Sequence, residues 1–470
     1  MHAPVHLDPA IEGGQTQLIN CEEGTSALLQ SLGYNRIGSL PTKPSSEIKS
    51  SPWSIGCETL DRDYVDFSHS GKHLGDLGAK SVRLQAGWAK CEPDPGNEYK
   101  WDWLDEIIDT AHSYSISPWL QLSYGNPAYP GGGGVGLAES IPRSEIALNA
   151  WDEWVKQVVV RYCDTVTTWE IWNEPDSRDL LTPEDYAIFF IRTAEIIRKF
   201  QTHSTIIGGA VARHDSSNYS GRFLEALDRA NKSQLLDELS YHFYPHNPDE
   251  AFEEVTSLEN LCRRHAPHVK LRQGETGAPS ESLPFLALGQ HPWSERKQAV
   301  WNLRRLLSHH ARGIPMNLFQ LADMHYKMNA GSLFEGRNSK GLLCIRSDKT
   351  VAYRKPSFRT AQIVFSLWDD RFPLKSLSPH PVQAATPTRA FAWHSNLDEL
   401  CIHAWWRHDL IPALETLDQV EMIFLEAVKL KNQILVDLLS GDLFLFHSKT
   451  NRVPCLDSPL ALMDPELVGL

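Results

Sequence analysis

The chain has 470 residues, 41% apolar and 22% charged, with a formal charge of −14 from 45 basic and 59 acidic side chains. That ordinary globular composition excludes a disordered chain, a collagen and a coiled coil, and no apolar run reaches the ~18 residues of a membrane span. The negative balance argues against nucleic acid or an anionic membrane as a partner. The 15 Trp residues suit a sugar binder, whose ligands pack their C–H faces on aromatic rings, although most Trp residues serve as core.

The first 50 residues lack periodicity and read as an extended arm (1–50) packed on the rest. From residue 51 a β-then-α rhythm repeats eight times. The expected strands are Trp53–Cys57, Ser81–Ala86, Pro118–Tyr124, Val166–Trp172, Thr205–Ala210, Glu238–Phe243, Lys270–Gly274 and Pro315–Leu321. Helical patterns fall at Trp101–Ser113, Glu145–Tyr162, Pro183–Phe200, Gly221–Ala230, Glu250–His265, Glu295–Ala311 and Pro356–Trp368. Thr182-Pro183-Glu184 marks one helix start with a cap, a first-turn Pro and an acid at the positive helix end. Eight alternations predict an α/β fold, a (β/α)8 TIM barrel over residues 51–370. Beyond it, Arg389–Ser395 and Leu400–Trp406, joined by a turn at Asn396–Glu399, and a hairpin of Ile434–Leu439 with Leu443–His447 predict a C-terminal antiparallel β-sandwich over 371–470. Of Trp405 and Trp406, neighbours on one strand, one is expected in the sandwich core.

In such barrels chemistry sits at the carboxyl ends of the strands. Strand four ends Trp172-Asn173-Glu174-Pro175 and strand seven Gly274-Glu275-Thr276-Gly277. Two carboxylates across a barrel mouth are the machinery of glycoside hydrolysis: one protonates the leaving oxygen, the other attacks the anomeric carbon or activates water. Pro175 is expected to hold Glu174 extended, and the glycines to let the chain turn at Glu275 and approach a ligand. Arg83 pairs either with a site carboxylate or with Glu170, if Glu170, Trp172 and Glu174 alternate onto one face. Tyr124 and Asn126 after strand three, with Trp88 after strand two, are candidates to line the pocket; Tyr129, Trp293 and Tyr326 lie in rim loops as well.

These motifs resemble the clan A glycoside hydrolases, retaining enzymes on (β/α)8 barrels, over residues 51–370, and the barrel-plus-sandwich layout most resembles glycoside hydrolase family 39, which includes β-xylosidases and α-L-iduronidases. The resemblance implies a retaining hydrolase of a β-xyloside or related β-glycoside. Glu174 would be its acid/base and Glu275 its nucleophile. Asn173 would bond the sugar 2-hydroxyl, His242 or Tyr244 would hold the nucleophile, and Arg83 would keep it ionised. Strand eight departs from the clan, reading Asn317-Leu318-Phe319-Gln320-Leu321-Ala322-Asp323 where many members have a Trp. The partner expected is a carbohydrate; no cofactor and no metal is expected. Transglycosylation on the same site and a non-catalytic carbohydrate-binding barrel are the alternatives. A metal-dependent hydrolase would need more than His242 and Asp323 at strand ends.

Other signals are discounted. Gly131–Gly136 matches GxGxxG only as a glycine run, and is expected to be a flexible rim loop. His309-His310, beside Arg304, Arg305 and Arg312, reads as a solvated basic helix face. Eight scattered Cys without a CxxC pair, and no signal-peptide pattern at the start, lead us to expect reduced thiols and a cytoplasmic location, or secretion had a leader been removed.

Overall fold

The protein is described by a computed structural model covering residues 21–470, apart from 97, 138, 178–180, 214–216, 284–285, 328–334, 376–381, 384–385, 397–399, 417–419, 426–432, 447–451 and 470. Eight parallel strands close a barrel: β1 (Trp53–Gly56), β2 (Ser81–Gln85), β3 (Ser117–Leu122), β4 (Thr168–Ile171), β5 (Thr205–Val211), β6 (Glu238–Tyr241), β7 (Lys270–Thr276) and β8 (Met316–Leu318). Closure comes from β1 lying in register with β8, Trp53 opposite Met316. The outer layer includes α1 (Asp102–Ser113), α2 (Glu145–Tyr162), α3 (Pro183–Phe200), α4 (Ser217–Arg229), α5 (Phe252–His265), α6 (Glu295–Ala311) and α7 (Pro356–Leu367). Their starts carry the chemistry read from the sequence: Thr182 accepts from the Asp185 N–H, Ser144 from Ala147 and Ser294 from Lys297.

A six-stranded and a three-stranded antiparallel sheet follow the barrel. Thr388–His394 pairs with Cys401–Arg407, and Ile434–Asp437 with Asp442–Leu445, as the sequence suggests; the turn expected at Asn396–Glu399 lies partly outside the described residues. Of the arm expected over 1–50, residues 1–20 lie outside the described residues, and the remainder is not extended throughout. Cys21–Ser31 is a helix, and Arg36–Ser39 adds an edge strand to the six-stranded sheet, opposite Asp442–Phe444.

One expectation about this region is met and another is corrected. Trp405 and Trp406 are both buried, because the six-stranded sheet is covered on both faces. Trp405 joins Leu435 and Phe444 in the sandwich core, while Trp406 reaches back to the barrel and donates to Asp249. The basic face of α6 is not solvated either: Arg304, Arg305, His309 and His310 are wholly buried where the sheet covers the helix. Buried ion pairs make that cover possible, Arg304 with Asp249 on one side and Arg296 with Asp457 at 2.8 Å on the other. No helix among the described residues is long and apolar enough to cross a membrane. Cys57, Cys91, Cys163, Cys262, Cys344, Cys401 and Cys455 are free thiols.

Candidate active site

The site begins with Arg83, a fully buried guanidinium on β2 inside the barrel. A charge there costs several kcal/mol unless it is paired, and Arg83 is paired on every side. Its Nε donates to Glu170 at 2.8 Å and its Nη1 to Glu58 at 2.7 Å and Glu275 at 2.8 Å, while Nη2 donates to the Asn173 Oδ1 at 2.9 Å. The two pairings weighed from the sequence, with Glu170 and with a strand-seven carboxylate, therefore coexist. Gln121 on β3 closes the floor, donating to Glu170 and Asn173.

Glu174 and Glu275 face each other over this floor. Glu275 accepts from Arg83 through one oxygen and from the Tyr244 hydroxyl through the other, at 2.8 Å each. His242 lies between the carboxylates, its Nδ1 3.2 Å from Glu174 and 3.6 Å from Glu275. One donor atom from each of Glu174, His242 and Glu275 lies within 4.8 Å of the others.

The two carboxylates sit in opposed environments. Burial and the neighbouring Glu275 charge hold the Glu174 carboxyl well above the usual range. For Glu275 burial pulls upward too, but His242, Arg83 and the Tyr244 hydrogen bond outweigh it and the carboxyl lies below its ordinary value. Burial pushes His242 itself down to about 4, so the ring is neutral near pH 7 and the lasting hold on Glu275 comes from Arg83 and Tyr244. Burial keeps the Tyr244 hydroxyl protonated, hence a donor.

Local backbone explains how the groups converge. Glu174 is not extended: its φ is +46°, and that of Trp172 is +68°. Left-handed conformations cost a non-glycine residue roughly 1–3 kcal/mol and cluster at functional sites. Here the Glu174 N–H donates to the Ala210 carbonyl, and Asp176 accepts from the Ala212 and Arg213 N–H groups, pinning the turn to β5. The turn at Trp172 also breaks the alternation expected along β4. Trp172 packs outward against Trp151 of α2 and Phe189 of α3, and Asn173 faces the floor instead. Gly274 is required for closeness to neighbouring strands rather than to a ligand, since a Cβ there would lie 2.0 Å from the Ser240 Oγ and 3.2 Å from the His242 Nε2. Gly277 likewise clears the Phe319 carbonyl.

Tyr124 lies behind the site, its hydroxyl accepting from Asn173 at 2.9 Å. Trp88 and Asn126 are corrected. Trp88 is buried among Tyr129, Trp151 and Trp154 with its N–H on Glu92. Asn126 spends its side chain on the Glu92 carbonyl and the Ala128 N–H. Both build the loop and neither is free for a sugar. The glycine run is tied down too, Gly132 and Gly134 accepting from the N–H groups of Asn126 and Gly125. Asp323 is paired with Lys355 at 2.7 Å.

Sequence reasoning missed Glu58 and Lys340. Glu58 stands two residues beyond β1, where the rule that finds Glu174 and Glu275 would have found it. Lys340 lies in the excursion after β8, whose strands Met324–Tyr326, Gly336–Asn338, Leu343–Ile345 and Val351–Arg354 carry no local signal strong enough to read. Among the described residues, Glu174, His242 and Glu275 are the only trio able to offer a metal three ligands. An ion there would displace donors from Glu275 and stand against the Arg83 guanidinium, so the donor set fits a proton site better than a metal site.

Residues 77–270 match the family model described as Glycosyl hydrolases family 39. No curated protein matches the chain. Among solved structures, the chain is similar to a family 39 glycoside hydrolase from the gut symbiont Bacteroides cellulosilyticus WH2, at 17% identity over 90% of this chain and 83% of that one, with a TM-score of 0.67. A family 39 β-xylosidase from Caulobacter crescentus shares 14% identity over 92% of this chain and 98% of its own, with a TM-score of 0.57. An α-L-arabinofuranosidase from Thermotoga maritima shares 13% over 92% and 99%, at 0.54. These likenesses establish the shared barrel-and-sandwich fold, while the family match spans β2 to β6 together with the Glu174 turn. On that match the chain is a glycosidase, resembling glycoside hydrolase family 39 within clan A.

Proposed function

We propose that this glycosidase works by double displacement with retention, Glu275 as nucleophile and Glu174 as acid and then base. The observation that carries the reading is the pairing of opposed carboxylates at close range: one drawn down by its neighbours, Arg83 and Tyr244 among them, one pushed up by burial and the neighbouring charge, their donor atoms within 4.8 Å. Retaining enzymes keep their carboxyls about 5–5.5 Å apart, whereas inverting enzymes leave room for a water. Glu275, ionised, attacks the anomeric carbon while Glu174 gives its proton to the departing oxygen. The Glu275 charge is then lost to the covalent bond, the repulsion that raised Glu174 falls, and Glu174 can take a proton from water. His242, its Nδ1 at 3.2 Å, keeps Glu174 aimed between the two steps. Asn173 has one amide N–H left after bonding Tyr124, and we assign it to the sugar 2-hydroxyl, a contact that tightens in the transition state.

The substrate we propose is a β-xyloside or related β-glycoside, by analogy with the Caulobacter β-xylosidase. The test is hydrolysis of aryl xylosides, glucosides, galactosides, arabinosides and uronides, with the first-formed anomer read by NMR. Cleavage with the starting configuration kept is expected. An inverted product, or no cleavage of any glycoside, contradicts the reading.

A further inference from the structure

Lys340 is a buried lysine beside the pocket whose ammonium makes no hydrogen bond or ion pair to a described residue. Its Nζ lies 5.7 Å above the centre of the Tyr244 ring, the same Tyr244 whose hydroxyl holds Glu275. Both Glu275 and Glu174 act on it electrostatically; burial nevertheless lowers the ammonium to about 7. Residues 338–341, which carry it, are fixed. Asn338 accepts from the Lys340 N–H and donates to the Tyr326 hydroxyl, while the Lys340 carbonyl accepts from Gln320. The next residue, Gly341, has no room for a side chain, since a Cβ would lie 2.0 Å from the Asp323 N. The buried Lys355 fastens Asp323 and the Ser339 carbonyl beneath it.

The described residues around it thus present the Lys340 ammonium beside Tyr244 and supply it no acceptor. Three N–H donors so placed suit an oxygen that arrives from outside. We propose that Lys340 is a specificity-determining residue, its ammonium donating to an oxygen of the sugar that sits between Glu174 and Glu275. This rests on the hydrolase reading above and adds a contact to it. The acceptor is either a sugar hydroxyl or the carboxylate of a uronic acid, and the two are separable by experiment.

The test compares kcat/KM of wild type, Lys340→Met and Lys340→Gln on aryl glycosides of the preferred sugar, on analogues lacking one hydroxyl at a time, and on a matched glucoside and glucuronide. A charge-assisted hydrogen bond predicts a loss of roughly tenfold or more for Lys340→Met on the preferred sugar. Lys340→Gln, which keeps a donor, recovers part of it and carries the test should the Met variant fold poorly. If a hydroxyl is the acceptor, the loss vanishes on the one analogue that lacks it; if a carboxylate is, the loss is larger on the glucuronide than on the glucoside. Either result supports the contact. Equal kcat/KM in wild type and variants, or the same loss on every analogue and on both members of the pair, overturns it while leaving the hydrolase reading intact. A wild type that cleaves none of the glycosides brings down both.

Discussion

Arg83 ties three carboxylates and an amide to one guanidinium, and its five N–H groups in a plane are what make that possible. A lysine cannot span the same set. Arg83→Lys is therefore expected to weaken the hold on Glu275 most. Glu275 is depressed in the native site, so activity is gained as pH rises through its pKa; with the cation displaced that pKa rises, and the rising limb of kcat/KM moves to higher pH, by about one unit or more. On the proposed mechanism the falling limb belongs to Glu174, protonated for the first step, and should remain. A pH profile of the variant that superimposes on wild type would show that Arg83 does not set the charge on Glu275. Glu58 enters the same network, and burial holds its carboxyl well above the usual range against the pull of Arg83. It stands at a strand end as plainly as Glu174 does, so its role was legible; what the sequence alone does not reveal is that Arg83 has three acids to serve.

At the scale of elements, the geometry hangs on how neighbouring strands touch. Gly274 lets β7 press against Ser240 and His242 of the adjoining segment. Gly274→Ala is expected to cost about 1–3 kcal/mol through overpacking, seen as a lower melting temperature, and Gly274→Ala with Ser240→Gly should recover part of the loss. No recovery would place the strain elsewhere. The strand and helix series was readable because each βα unit announces itself locally, by apolar runs and capped helix starts such as Thr182. The exceptions have non-local causes. The left-handed turns at Trp172 and Glu174 answer to a hydrogen bond from β5, which no pattern within Thr168–Glu174 encodes, and they send Trp172 outward against the expected alternation. The excursion that delivers Tyr326 and Lys340 is fixed by Asp323, Lys355 and Ser339 meeting in three dimensions.

For the whole molecule, the C-terminal sheet turns α6 from a surface helix into an interior one. Composition could not disclose this, because the arginines and histidines of α6 read as solvated until a second layer is known to cover them. Asp457 accepts from the Arg296 Nη1 and Nη2 and from the Ala413 N–H, joining sandwich to barrel. Asp457→Ala leaves a buried, unpaired guanidinium and is expected to destabilise the protein by about 3–5 kcal/mol. Asp457→Ala with Arg296→Met should be far less costly in thermal or denaturant unfolding. If the single variant melts like wild type, the interface pair is not what holds the two layers together.

The central claim is that Glu275 forms the covalent bond to the sugar. It is tested most directly by Glu275→Ala supplied with azide and an aryl glycoside with a good leaving group. The expected outcome is a variant without measurable hydrolysis, with azide restoring turnover to give a glycosyl azide of inverted anomeric configuration, because the small anion attacks from the side the carboxylate vacated. A variant that hydrolyses the glycoside as wild type does, or an azide product of retained configuration, would contradict it.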